Sequence, residues 1–208
     1  MTGVRNELRA MASASAKQGF LAVGGVRTGD QAARHSLQAA LQTRGGKLVY
    51  VAGVLEDKRA PFRNAFAGLL RMHAERCRQK VHEHTHIAAI ESISTELSRQ
   101  FASILCDGCL RIGIAQKAFN LYLKYMWCLD PTWPVPPHCP IDGLILHAAG
   151  VSGAWTSMNS LAIYSEWISA LRIHAKKAGY SSLAEWELDE WRRSRPVGPT
   201  DVPPTRCS

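Results

Sequence analysis

GIAQKAFNLYLKYMWCLDPTWPVPPHCPIDGLIL, residues 113–146, is the stretch whose reading decides the fold. From about Ile114 its apolar residues recur at helical spacing, so Phe119, Leu121, Leu123, Tyr125 and Met126 predict a buried helix. Prolines at 131, 134, 136, 137 and 140 then stiffen a connector over 130–140, because each fixes φ and removes a backbone donor. An apolar run over 141–149 starts a second helix, with Asp142 at its head. Lys117 falls in the first turn of the first helix, and its side chain is directed toward that helix's N-terminal end. The connector brings the chain back, so Lys117 and Asp142 are expected on one wall of a shared pocket, with charged ends within roughly 4–8 Å, either paired directly or leaving room for a sugar between them.

Working outward, helices are expected over 6–17, 30–42, from Pro61 onward, 87–105, 157–178 and 182–193. Asp30 and Ser182 read as caps, Ser182 with Glu185 matching a capping box. Pro61 suits a first helical turn ahead of the stripe Phe62, Phe66, Leu69, Leu70 and His73. Ile90, Ile93, Leu97, Phe101 and Ile104 form another inward stripe, and Trp186 and Leu183 dock the last helix. LVYVAGVL, 48–55, is β-rich but has no partner strand, and reads as a buried helix or an irregular apolar segment. The fold class is therefore all-α, a single helical domain over 1–193 with a connector at 130–140 and a disordered, proline-rich tail at 194–208.

Composition narrows the partners. Lys and Arg number 25 against 17 Asp and Glu, a formal charge of +8 that favours polyanions through counterion release. MTGVRNELRAMASASAKQGF at the start has no apolar core of signal-peptide length, and no 18-residue apolar run occurs, so no membrane contact is expected. A cytoplasmic location follows as the expectation, with Cys77, Cys106, Cys109, Cys128, Cys139 and Cys207 as thiols.

ELSRQFASIL, CDGCLRIG and IAQKAFNLYLKYM spell helix, glycine-bearing turn and helix over 95–128. This element, followed by Pro140-Ile141-Asp142, resembles the helix-hairpin-helix DNA glycosylases, among them the 8-oxoguanine DNA glycosylases. The resemblance covers about residues 95–150. Ala115 stands where that family has its second hairpin glycine, and Ile112 where it has proline. The resemblance implies binding of lesion-containing duplex DNA, with Arg111, Gly113, Ala115 and Gln116 at the phosphate. Trp133, like Trp127, Trp155, Trp167, Trp186 and Trp191, reads first as a core or cleft-wall residue, although from the proline loop it could stack on a base. It also implies that Lys117, as a neutral amine, attacks the anomeric carbon of a flipped nucleotide and forms a Schiff base, while Asp142 stabilises the sugar's developing charge. The competing reading of the same residues is a solvated lysine and a helix N-cap within a non-catalytic helical interaction protein of a mobile element or stress operon.

Two metal patterns remain. His82-Glu83-His84-Thr85-His86 satisfies HExxH, which on a helix would set His82 and His86 on one face as a metalloprotease zinc site, with Glu83 as base. Glu91 or Glu96 would be the third ligand, but the segment also reads as a solvated polar run with no clear third ligand. Cys106 and Cys109 with His138 and Cys139 make a poorly spaced zinc set, and are read instead as buried small residues beside the turn. Neither a Walker A motif nor a dinucleotide fingerprint occurs, so no cofactor or metal is expected.

Overall fold

The helix predicted from Ile114 is the axis of the molecule. In a computed structural model, which describes residues 2–79 and 82–194, the chain forms α1 (Thr2–Gly24), α2 (Gly29–Leu41), α3 (Glu56–Glu75), α4 (Glu83–Phe101), α5 (Ile112–Leu129), α6 (Gly143–Ala148), α7 (Leu161–Lys177) and α8 (Leu183–Arg193). Two 3-10 turns, Ala102–Ile104 and Cys106–Gly108, join α4 to α5. No strand forms among the described residues, and none of their helices is long and apolar enough to cross a membrane. The protein is all-α, and its buried apolar residues form one cluster.

Helix α5 is buried on every side from Ile112 to Tyr125, and α1, α2, α3, α4 and α7 pack around it. A helix hidden all round must be apolar all round or have partners for its polar groups. Most of α5 meets the first condition, while Gln116, Lys117, Asn120 and Lys124 must meet the second. Around this axis the expected stripes turn inward: Phe62, Phe66 and Leu70 of α3, and Ile90, Ile93 and Leu97 of α4, are fully enclosed. Trp186 is fully buried as the anchor of α8, and Ser182 caps that helix by accepting from Glu185 N.

Several boundaries move for local reasons. Helix α5 begins at Ile112, two residues early, because Asn159 Oδ1 accepts from Ile112 N at 3.1 Å and Met158 O from Gly113 N at 2.9 Å. Helix α1 extends to Gly24, where Gly25 at φ 61° ends it. The cap of α2 is Thr28, whose hydroxyl accepts from Gln31 N, and Asp30 sits in the first turn. Pro61 lies inside α3, which starts at Glu56 with two acidic residues in its first turn. Helix α4 starts at Glu83 and yields to 3-10 turns at Ala102, and α7 starts at Leu161 after the cap Ser160. Residues 48–55 are irregular. They touch the α4–α5 turn through a bridge between Tyr50 and Leu105, with Leu48, Val51 and Leu55 exposed rather than buried. Residues 195–208 of the expected tail lie outside the described residues.

Candidate functional site

Lys117 and Asp142 meet. Lys117 Nζ donates to Asp142 Oδ2 at 2.5 Å, and Asp142 Oδ1 accepts from Ile145 N at 3.1 Å, so one carboxylate both pairs the lysine and caps α6. Of the two arrangements expected, the structure shows direct pairing, which leaves no space for a sugar between the charged ends. Burial pushes the Asp142 carboxyl up, but the Lys117 charge, its hydrogen bond and the Ile145 N–H outweigh burial and hold it below the usual carboxylate range.

The residue beside each partner explains the meeting. Gln116 Nε2 donates to Ile141 O at 2.8 Å, and Gln116 Oε1 accepts from Ile141 N at 3.1 Å. The side-chain amide thus satisfies both backbone groups of Ile141 in a place without water. One turn further, Asn120 Nδ2 donates to Cys139 O at 3.1 Å. Positions 116, 117 and 120 therefore form one polar face of α5 that holds the extended segment 139–142 residue by residue. That grip delivers Asp142 to Lys117.

Asn120 continues the network into the core. Its Oδ1 lies 2.7 Å from His86 Nε2, and its Nδ2 lies 3.0 Å from the Tyr164 hydroxyl. His138 Nδ1 lies 2.7 Å from the same hydroxyl, and His138 Nε2 lies 3.3 Å from Glu83 Oε1, which also accepts from Arg172 at 2.6 Å. The two imidazoles pack edge to face with centroids 4.6 Å apart. Burial lowers both, His86 to about 4 and His138 to about 2, so each is neutral at pH 7. None of Asn120, Tyr164 or Arg172 is marked by a motif, and His138 was marked only as part of a poorly spaced zinc set. The available signal was spacing, since polar residues at 116, 120 and 124 recur every fourth position of an otherwise apolar helix.

The residues expected at a DNA phosphate are occupied or enclosed. Arg111 is 2% exposed; its Nε donates to Thr156 O at 2.6 Å and its Nη2 to Leu48 O at 2.6 Å and Lys47 O at 3.1 Å. Gly113 permits close packing rather than phosphate approach, because a Cβ there would lie 1.8 Å from Trp155 O. Ala115 and Gln116 are fully buried. The sharp turn sits at the start of the expected CDGCLRIG segment, at Asp107 (φ 60°) and Gly108 (φ 66°), rather than at Gly113. The N–H groups of Ile112 and Gly113, which a phosphate would need, are already taken by Asn159 and Met158. Trp133 packs inward at 6% exposure with the Arg78 guanidinium 5.1 Å from its ring centroid, so the ring does not stand out to stack on a base.

The metal patterns come apart as well. His82 is the exposed residue before α4, whereas His86 is in the core, because the helix starts only at Glu83 and the two do not share a face. Cys106 Sγ lies 3.0 Å from Tyr50 O and Cys109 is half-buried near Asn159, while Cys139 is enclosed beside α5. No group of three His, Cys, Asp or Glu able to hold a metal occurs among the described residues.

Comparison with known protein families, with characterised proteins and with solved structures gives no significant match to this chain.

Proposed function

We propose that this is a non-catalytic, helical DNA-binding protein that engages duplex phosphates through exposed arginines and lysines, with the Lys117–Asp142 pair serving as a structural clasp. The charge left over on the surface carries this reading. Eight surface ion pairs neutralise many of the exposed charges. Among the described residues, exposed Arg27, Arg34, Arg44, Lys58, Arg76, Lys176 and Lys177 meet no carboxylate, against only Asp57, Glu91 and Glu166 on the acidic side. Arg27 lies two residues before α2, Arg34 within it and Arg44 three residues after it. Exposed guanidiniums distributed along one helix can meet phosphates without reading sequence.

Fluorescence anisotropy with a labelled duplex over a salt series tests the reading. Binding should weaken steeply with salt, and Arg27→Gln, Arg34→Gln and Arg44→Gln together should lower the log–log salt slope by about 2–3 at about 0.9 per phosphate contact. Each should change stability by less than about 0.5 kcal/mol. No binding at low salt sinks the proposal.

A second reading, excision of a damaged base, is supported by one observation: Lys117 and Asp142 converge across the connector. It requires Lys117 to leave that pair when a lesion binds. Borohydride trapping on lesion-bearing duplexes, with peptide mapping of any protein–DNA adduct, tests it; a lack of adduct at Lys117 removes the reading.

A further inference from the structure

A cavity of about 940 Å³ opens between the middle of α1, the C-terminal end of α5, the connector and α8. Its walls are largely apolar, including Ala16, Trp127, Val135 and Leu188, and this volume admits a small organic molecule. Lys17 projects an amine into the lining. The amine donates to Trp127 O at 3.2 Å and lies 3.8 Å from the Trp127 ring centroid, so its position is fixed by a carbonyl and an aromatic face.

That environment separates Lys17 from the other described lysines. Lys47, Lys117 and Lys124 are each in contact with a carboxylate, and Lys58, Lys176 and Lys177 stand in solvent. Lys17 meets no carboxylate within ion-pair distance. Burial pulls its pKa below the usual lysine value, while the negative charge of Glu185 pulls it back only in part. Of the two acids in the lining, Asp189 is held by the Tyr180 hydroxyl and by Arg192, which leaves Glu185 to act on the amine. Burial raises the Cys128 thiol to about 12, so it stays protonated and does not compete as a nucleophile.

We propose that Lys17 is a covalent capture site for a small, uncharged aldehyde with an apolar body. The neutral amine adds to the carbonyl carbon, forming the C–N bond while the π pair moves to oxygen. Oxygen gains a proton and nitrogen loses one to give the carbinolamine. The Glu185 carboxylate carries that proton from nitrogen to oxygen; the hydroxyl then leaves as water with a proton drawn from solvent water while the nitrogen lone pair forms C=N, and the hydroxide so formed takes the iminium proton. Amine plus aldehyde gives imine plus water, with no change of oxidation state. Apolar walls favour the ligand's body, and Glu185 and Asp189 disfavour an anionic one.

The test is reductive trapping on the full chain at neutral pH with benzaldehyde and cyanoborohydride, followed by peptide mapping. The adduct should form on Lys17 roughly tenfold faster than on Lys58, Lys176 or Lys177, as an activated amine requires. 4-Carboxybenzaldehyde should label Lys17 several-fold less than benzaldehyde does. Glu185→Gln should slow labelling of Lys17 alone, and Lys17→Arg should abolish the fast adduct. If Lys17→Arg does not fold, the selectivity of the wild-type chain and the contrast between the two aldehydes still decide the matter. Labelling of Lys17 no faster than of the exposed lysines, or equal labelling by both aldehydes, overturns the proposal.

Discussion

Lys117 and Lys124 lie two turns apart on α5, each in contact with a carboxylate, and the two contacts are opposite in character. Asp142 keeps 31% of its side chain exposed, takes a second hydrogen bond from Ile145 N, and ionises more readily than usual. Glu187 is 5% exposed and Lys124 1%; they meet at 2.6 Å beside the faces of Phe20 and Trp191. There burial raises the Glu187 carboxyl against the pull of Lys124. The same two charged groups thus make a clasp at the rim and a liability in the core. Water and a backbone N–H help to solvate the first pair, while the second has only its own attraction and the faces of Phe20 and Trp191 to offset desolvation.

The largest effect expected from breaking this contrast is at Glu187. Glu187→Gln strands a buried ammonium and should cost about 3–5 kcal/mol in urea unfolding. The double variant Lys124→Met with Glu187→Leu should recover most of that loss, since it removes both charges and keeps volume. Equal damage in single and double variants would show that packing, not charge, governs the site.

Acid comes next. A histidine lowered by folding takes up its proton more readily when unfolded, so stability falls as pH drops from 6.5 to about 4 through His86, by about 3 kcal/mol. His138 acts in the same direction and extends the loss toward lower pH. The two carboxylates should then part company. Asp142, held low, stabilises above the carboxylate range and loses that contribution as pH falls, so Asp142→Asn should make the acid loss shallower. Glu187, held high, binds a proton more readily when folded and gains as pH falls, so the Lys124→Met/Glu187→Leu variant should make the loss steeper. Urea midpoints at stepped pH decide it, and shifts in the same direction for both variants would end the comparison.

Smallest is the clasp itself. Lys117→Gln should cost roughly 1–2 kcal/mol and leave the fold intact, because the Asp142 left behind can still hydrate and cap α6. Asp142→Ala, which loses pair and cap together, should cost about 1 kcal/mol more than Asp142→Asn. A Lys117→Gln chain that fails to fold would place Lys117 with Lys124 as a core group.

Much of the helical layout was legible in the sequence because spacing reports which face of a segment is apolar. Phe62, Phe66 and Leu70, or Ile90, Ile93 and Leu97, could be read as inward stripes without knowing what they touch. The approach of Lys117 to Asp142 was legible for a related reason, since a helix, a proline-stiffened turn and a helix start leave few paths for the chain. The burial of Arg111 and Gln116 was not. Their side chains are polar and read as exposed until the backbone of Leu48, Ile141 and Thr156 is brought against them. Neither could HEHTH reveal that its first histidine faces solvent and its last the core, because one residue's shift in helix start changes which face each occupies.

By itself, then, the sequence determined an all-α chain, its central apolar helix, the stiff connector and a basic surplus, all properties of local spacing and composition. Only the tertiary structure decided that Gln116, Lys117, Asn120 and Lys124 would be enclosed, and which group would answer each. A buried polar side chain takes its state from partners supplied by distant segments, and those partners exist only once the helices have packed.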